Sequence, residues 1–355
     1  MRYADVLSVL RAPRVFSSWR GGALLADPPP EFLAKLREGM LNRDPPDHTL
    51  LRRLVNKAFT PKRIAELETR IAEHARILVD RVRADGRCDY AQQIAGEMPL
   101  YVICEILGVP DIDRRRLYAL TERMFGSTIA DPRAAFADGM TAADELRGYA
   151  DELVRTKTAR PTEDVTSDLI AADIDGRRLT AGELQAFFML LFNAGADTTR
   201  SLLCFALELL LDHPGELARL RDDPTLLPTA IEEVLRYEPP VIQFRRTATA
   251  DTQLAGVSIR EGDKVLVFFP SANRDAAVFA DPDRFSVGRT PNDHLGFGHG
   301  AHFCLGAPLA RLESKHVLAE TLAQLDAIEP AGPSVHSRTN FIRSVRELPI
   351  RYRAR

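Results

Sequence analysis

From Leu295 to Arg311 the chain reads Leu-Gly-Phe-Gly-His-Gly-Ala-His-Phe-Cys-Leu-Gly-Ala-Pro-Leu-Ala-Arg, which sets Cys304 between a glycine-rich loop and the start of a helix. Gly296, Gly298 and Gly300 let the backbone turn tightly and approach a flat partner closely. Pro308 suits a first helical turn, where its missing N–H costs nothing. Leu309, Leu312, Val317, Leu318 and Leu322 follow at helical spacing. A thiol at a helix N-terminus feels the positive end of the dipole and the free N–H groups, and both lower its pKa. The stretch therefore predicts a thiolate metal ligand.

Three other readings were weighed. A lone cysteine is by default a buried, inert one. Gly296-Phe-Gly298-His-Gly300-Ala301 fits a loose dinucleotide-binding pattern, but that pattern needs a buried strand before it. Ser286 to His294 is polar and carries Pro291, so this reading is rejected. A zinc site on His299, His302 and Cys304 wants a fourth ligand at a recognisable spacing, and Cys88, Cys104 and Cys204 are scattered singly. The absence of a CxxC pair speaks against a disulfide framework and for a reducing compartment, so a cytoplasmic location is expected. A net charge of -3 gives no pointer to nucleic acid. The apolar segment Phe187 to Leu211 is interrupted by Asp197, Arg200 and Glu208, so it reads as a core helix and not a membrane span.

Outward from the cysteine, helical periodicity covers Tyr3 to Leu10, Arg63 to Val82, Tyr90 to Leu107, Ile112 to Phe125, Ala134 to Thr156 and Leu184 to Leu211. Thr60 is placed to cap one helix, and Thr180-Ala-Gly-Glu183 is a capping box for another. A break is expected from Ser127 to Pro132, and Asp175-Gly176 is a hairpin turn. Strands are expected at Val241 to Thr249, Val257 to Ile259, Lys264 to Phe269 and in the tail from Phe341. In the long helix, Asn193-Ala194-Gly195-Ala196-Asp197-Thr198-Thr199 is unusual, because Gly195 costs ~1 kcal/mol relative to Ala. Thr198 can bond back to a carbonyl and bend the helix. Read blandly, this is a kinked core helix. His48 and Arg52 share a helix face at i, i+4. Glu233 and Arg236, at i, i+3, are by default a weak surface pair.

Phe297-Gly298-x-Gly300-x-His302-x-Cys304-x-Gly306 resembles the haem-ligand loop of the cytochromes P-450, the haem-thiolate monooxygenases. On that resemblance Cys304 is the proximal thiolate on the iron of haem b (iron protoporphyrin IX), and thiolate ligation favours O–O cleavage. Phe297, Gly298, His302 and Gly306 flank the cofactor, and His48, Arg52 and Arg246 grip its propionates. Leu50 stands where the family usually has Arg. Ala194 with Gly195 makes a dioxygen groove. Thr198 hydrogen-bonds the bound dioxygen, and Asp197 relays protons to it. Glu233 and Arg236 lock with Arg284 of Pro282-Asp-Arg-Phe285. Leu190, Asn193, Val241, Ile242, Phe341 and Ile342 face the substrate. Ser344 stands where a Gly is usual.

The implied fold is mainly α with a small β-rich region, a single cytochrome P-450 domain over 1–355. On this resemblance the sequence is expected to start after the family's leading helix and the first strands of the small sheet. The implied reaction puts one oxygen atom of O2 into a hydrophobic small molecule, terpenoid, steroid or polyketide-like. Electrons come from NAD(P)H through ferredoxin reductase and a ferredoxin docking on the Cys304 side, where Arg53 contributes. The expected enzyme is monomeric and binds neither membrane nor nucleic acid. The alternatives are a peroxygenase using H2O2 and a non-catalytic haem-binding relative. The Asp197-Thr198 pair argues against both.

Overall fold

The computed structural model describes residues 2–56, 61–126, 131–337 and 339–355. The Thr60 cap and the start of the break at Ser127 lie outside them. Helices dominate, and the strands form small antiparallel sheets at the periphery.

The central helix spans Ala181–Asp212 and begins at the capping box. Thr180 Oγ1 accepts from the Glu183 N–H at 3.2 Å, and the Glu183 carboxylate accepts from the Thr180 N–H at 2.9 Å. From Leu202 to Leu210 every residue but Glu208 is buried. The helix therefore has to run through the middle of a helical layer. It packs against Glu97–Leu107, Pro132–Ala159, Leu227–Tyr237 and Ala307–Gln324. The last of these carries Pro308 in its first turn and lies along Pro61–Arg83.

The single helix expected from Tyr90 to Leu107 is divided. A strand, Arg87–Asp89, is followed by a π-turn over Ala91–Ala95 and then by the helix Glu97–Leu107. Pro99 cannot donate to a carbonyl four residues back. The Gly96 N–H instead reaches Ala91, five residues back, at 2.9 Å. Gly108, with φ at 66°, closes the helix. The hairpin expected at Asp175-Gly176 is present: φ is 54° and 80°, and Ile174 bridges to Arg177.

One strand was not anticipated. Phe16–Ser17 pairs antiparallel with Gln243–Ala248, which pairs antiparallel with Lys264–Phe268. Preceding it, the helix Tyr3–Arg11 packs its apolar side, Val6, Val9 and Leu10, against Val267, Phe269 and Leu295. The N-terminal elements thus brace the base of the cysteine loop. The tail forms a second sheet, in which Pro349–Ala354 lies between Arg87–Asp89 and Leu325–Pro330.

Candidate active site

The cysteine loop folds on itself. The Gly298 N–H donates to Leu295 O at 2.8 Å, and the Cys304 N–H donates to Phe297 O at 2.9 Å. Gly298 and Gly300 both have φ of 71°, which disfavours any side chain. A Cβ on Gly300 would also stand 2.7 Å from Leu10 O, so the N-terminal helix requires glycine there. The Arg311 guanidinium lies 4.6 Å over the Phe297 ring.

The expectation of a lowered thiol pKa is corrected. Burial pushes the Cys304 thiol up, against the N–H groups of Gly306 and Ala307 and the charges of Arg52 and Arg311, which pull it down. The N–H donors and cations are arranged as expected, but burial outweighs them. A bound cation at the sulfur reverses that balance, because a metal ligand must be deprotonated. The zinc alternative fails on geometry. His299 Nε2 receives the Arg11 Nε–H at 3.0 Å, while the His302 ring lies 4.2 Å from the His48 ring.

His48, Arg52, Arg246 and His302 converge on one cavity with Cys304. Burial, then Arg52, pushes His48 down to about 4; burial, then Arg246 and His48, pushes His302 down to about 2. Burial alone lowers Arg246 to about 10, with Asp44 opposing. Among the described residues no carboxylate pairs with any of the four. His48 and His302 are therefore neutral, while Arg246 is a buried cation and Arg52 a half-buried one, and a buried cation requires an anionic partner. The two carboxylates of a haem meet that need, above a thiol suited to iron. The residues fit the cofactor.

The central helix forms the opposite wall with Leu190, Ala194, Gly195 and Thr198. Gly195 is needed for close packing, since a Cβ there would stand 2.9 Å from Ile103 Cδ1. Thr198 Oγ1 donates to Ala194 O at 2.5 Å, the back-bond expected of this threonine. Asp197 does not line this cavity. It faces a separate cleft, where Arg200 Nη2 donates to its Oδ1 at 2.5 Å and Ser344 Oγ at 2.7 Å. Adjacent residues on a helix project about 100° apart, so Thr198 and Asp197 address different sides.

The lock beneath the loop also departs from expectation. Glu233 and Arg236 are fully buried and paired at 2.7 Å. The third member is Arg289, not Arg284: Arg289 Nε reaches Glu233 at 3.0 Å. The Arg284 side chain is exposed, and only its carbonyl takes part, accepting from Arg236 at 3.2 Å and from Arg289 at 2.8 Å. Arg236 Nη1 also donates to Asn273 O at 2.9 Å, and Asn273 Oδ1 accepts from the Leu295 N–H at 2.7 Å. The network is thereby tied to the first residue of the cysteine loop. A second clamp, which the sequence did not flag, joins Arg311 and His294 to Glu232 at 2.7 and 3.0 Å.

Of the expected substrate contacts, Leu190 and Val241 line the cavity. Asn193, Ile242, Phe341 and Ile342 do not. The Ile242 N–H donates to Phe341 O at 2.8 Å, Val241 bridges Ile342, and Phe341 meets Phe244 edge-on, so these residues back the wall. Met40, Leu41, Val102, Ile103, Ile106 and Phe244 line it instead. Glu313 also borders the cavity. It is buried, its Oε2 has no hydrogen-bond partner among the described residues, and burial pushes its carboxyl up to about 8. The cavity runs from the Cys304 loop to the wall of the central helix, so one continuous space borders the cysteine, the arginines and the apolar side chains.

Comparison with known proteins agrees with this geometry. The cytochrome P450 family description matches residues 24–343. The chain is 37% identical to the methyl-branched lipid omega-hydroxylase of Mycobacterium tuberculosis over 98% of its own length and 82% of that protein. It is 36% identical to the steroid C26-monooxygenase of Rhodococcus jostii, over 98% of this chain and 74% of that one. Its fold is similar to substrate-free CYP109E1 from Bacillus megaterium, with a TM-score of 0.93 and 35% identity over 100% of this chain and 92% of the other. No helix among the described residues is long and apolar enough to cross a membrane. With a cysteine held under a cavity where Arg52 and Arg246 have no carboxylate partner among the described residues, and with relatives aligned along nearly its whole length, this chain belongs to the cytochrome P450 family of haem-thiolate monooxygenases.

Proposed function

We propose that this monooxygenase hydroxylates a large, apolar, uncharged molecule of the steroid or terpenoid kind, polyketides included. The supporting observation is the division of the cavity. Its cations and histidines cluster where the propionates would lie, while Val102, Ile103, Leu190, Leu191, Val241 and Phe244 present only hydrocarbon. An apolar wall binds by removing hydrocarbon from water and offers a carboxylate nothing. The lipid and steroid hydroxylases to which the chain is similar are consistent with this class.

Cys304 would ligate the iron, and His48, Arg52, Arg246 and His302 would hold the propionates. Bound haem supplies the iron at which O2 is activated with electrons from outside the protein. Thr198 positions a hydroxyl on the oxygen side of the cavity, and Asp197 brings protons from the opposite face of the helix. The greasy wall keeps bulk water from the reacting carbon. Electrons would come from NAD(P)H through ferredoxin reductase and a ferredoxin docking on the Cys304 face, beside exposed Arg53. We place the enzyme in the cytoplasm as a monomer.

The test is a spin-state titration of the haem-loaded enzyme with neutral steroids, terpenoids, polyketides and fatty acids, followed by turnover with a reductase chain or with peroxide alone. Neutral compounds should shift the spectrum and be hydroxylated with the reductase chain. Shifts confined to the acids would overturn the substrate class, and turnover with peroxide alone would overturn the electron route.

A further inference from the structure

The cleft behind the central helix holds a charged cluster for which the main cavity has no use. Two carboxylates, Asp197 and Glu122, face two guanidiniums, Arg200 and Arg346. Arg200 bridges Glu122 through Nη1 and Asp197 through Nη2. Burial works against its charge, yet the carboxylates hold its pKa above the ordinary value. Arg346 Nη1 stands 3.6 Å from Asp197 Oδ1 and 3.8 Å from Glu122 Oε2. Tyr118, the remaining titratable group on this cleft, donates its hydroxyl to Gln92 at 3.0 Å. The space left open to water centres is about 10 Å³, which matches one water molecule. Glu122 is partly exposed, whereas Asp197 is buried.

Ser344 completes the cluster. It is buried in the tail, and its own backbone is fixed by Ser337: the Ser337 N–H donates to Ser344 O at 2.8 Å and the Ser344 N–H to Ser337 Oγ at 3.1 Å. Its hydroxyl can therefore hold Asp197 firmly. Ser344 and Arg200 both occupy Oδ1, and among the described residues no hydrogen bond reaches Oδ2. Oδ2 is the atom left to take a proton and pass it on.

We propose that Ser344 is a positioning residue for oxygen activation: its hydroxyl fixes the Asp197 carboxylate so that Oδ2 collects protons from Glu122 through the single-water cleft. The proposal rests on the relay role given above to Asp197 and Thr198. Only O–H bonds are made and broken. A proton passes from solvent to Glu122, and from Glu122 to the water while that water gives one to Oδ2; because Asp197 and Thr198 address different sides of the helix, a second water has to carry the proton on from Asp197 to the Thr198 hydroxyl. Without the Ser344 hydroxyl, Oδ1 loses a donor, the carboxylate turns, and delivery slows. Reduced oxygen then leaves as hydrogen peroxide.

The test compares Ser344→Ala, Ser344→Thr, Glu122→Gln and Asp197→Asn in the haem-loaded enzyme. Peroxide released per NAD(P)H and the solvent isotope effect on product formation are measured. Isotope-edited infrared spectroscopy follows the Asp197 carboxylate band, identified by its loss in Asp197→Asn. Ser344→Ala should shift that band, slow the proton-dependent step about tenfold and raise peroxide release. Ser344→Thr should restore all three, and Glu122→Gln should raise peroxide release without shifting the band as Ser344→Ala does. A purely packing role for Ser344 would leave the isotope effect unchanged. If Asp197→Asn and Thr198→Ala uncouple the enzyme while Ser344→Ala does not, the positioning role is wrong. If neither of those two variants uncouples it, the relay itself is wrong, and this proposal falls with it.

Discussion

Replacing Arg289 by alanine tests how the cysteine loop is held. The Arg289 side chain is 11% exposed and Glu233 is 0% exposed, so their pairing is an interior one. Arg289 also donates to the carbonyls of Ala280 at 2.7 Å, Asp281 at 3.1 Å and Arg284 at 2.8 Å. Removing one partner of a buried pair costs about 3–5 kcal/mol, because the other charge stays buried. Glu233 here keeps Arg236, the Ser286 N–H and Asn292, so the lower end, about 3 kcal/mol, is expected. Arg284→Ala removes only an exposed side chain and should lie within about 0.5 kcal/mol of wild type. Both variants are to be melted under one scan rate, with far-ultraviolet circular dichroism and haem absorbance read together. Arg289→Ala should unfold at lower temperature and release haem with the first transition, since the network ends on Leu295. Equal melting of the two variants, or an Arg284→Ala penalty larger than that of Arg289→Ala, would refute the assignment of Arg289 as the third member.

Three other outcomes follow from the site. Cys304→Ser should abolish the reduced carbonyl spectrum typical of thiolate ligation; an unchanged spectrum would remove Cys304 as the ligand. Thr198→Ala should retain haem and increase peroxide release per NAD(P)H, and undiminished coupling would count against its hydroxyl. Glu313 has a carboxyl raised from 4.5 to about 8, so the folded state resists an ionisation that the unfolded chain accepts. Its unfavourable contribution is nil below about pH 4.5 and grows, by at most ~1.4 kcal/mol per pH unit, as pH rises toward 8. Glu313→Gln should therefore match wild type in stability near the lower value and exceed it near the upper one. A stability difference that does not vary with pH would show that Glu313 is not buried as a neutral acid.

Much of the site was legible because its determinants are local. The turn before Cys304 follows from glycines at fixed offsets, and the start of the central helix from a capping box four residues long. The clustering of His48 and Arg52 follows from helical spacing alone. Arg246, by contrast, was assigned to the cofactor by the resemblance and not by any local pattern. The resemblance then supplied the cofactor, because motifs in the right order constrain one another more tightly than any one of them does singly.

What sequence left open were distances between residues far apart in the chain. Arg284 and Arg289 are both arginines near the same turn, and only the path of the irregular segment decides which side chain reaches Glu233. Asp197 and Thr198 are neighbours, yet packing against Glu122 and the tail turns one from the cavity and leaves the other in it. The desolvation of half-buried Cys304 and of buried Glu313 depends on elements far away in the chain, and it acts through whatever finally surrounds a group. Local chemistry in the sequence pointed to the cysteine and the fold, while the three-dimensional packing chose the partners of each charge and so the cleft that Asp197 faces.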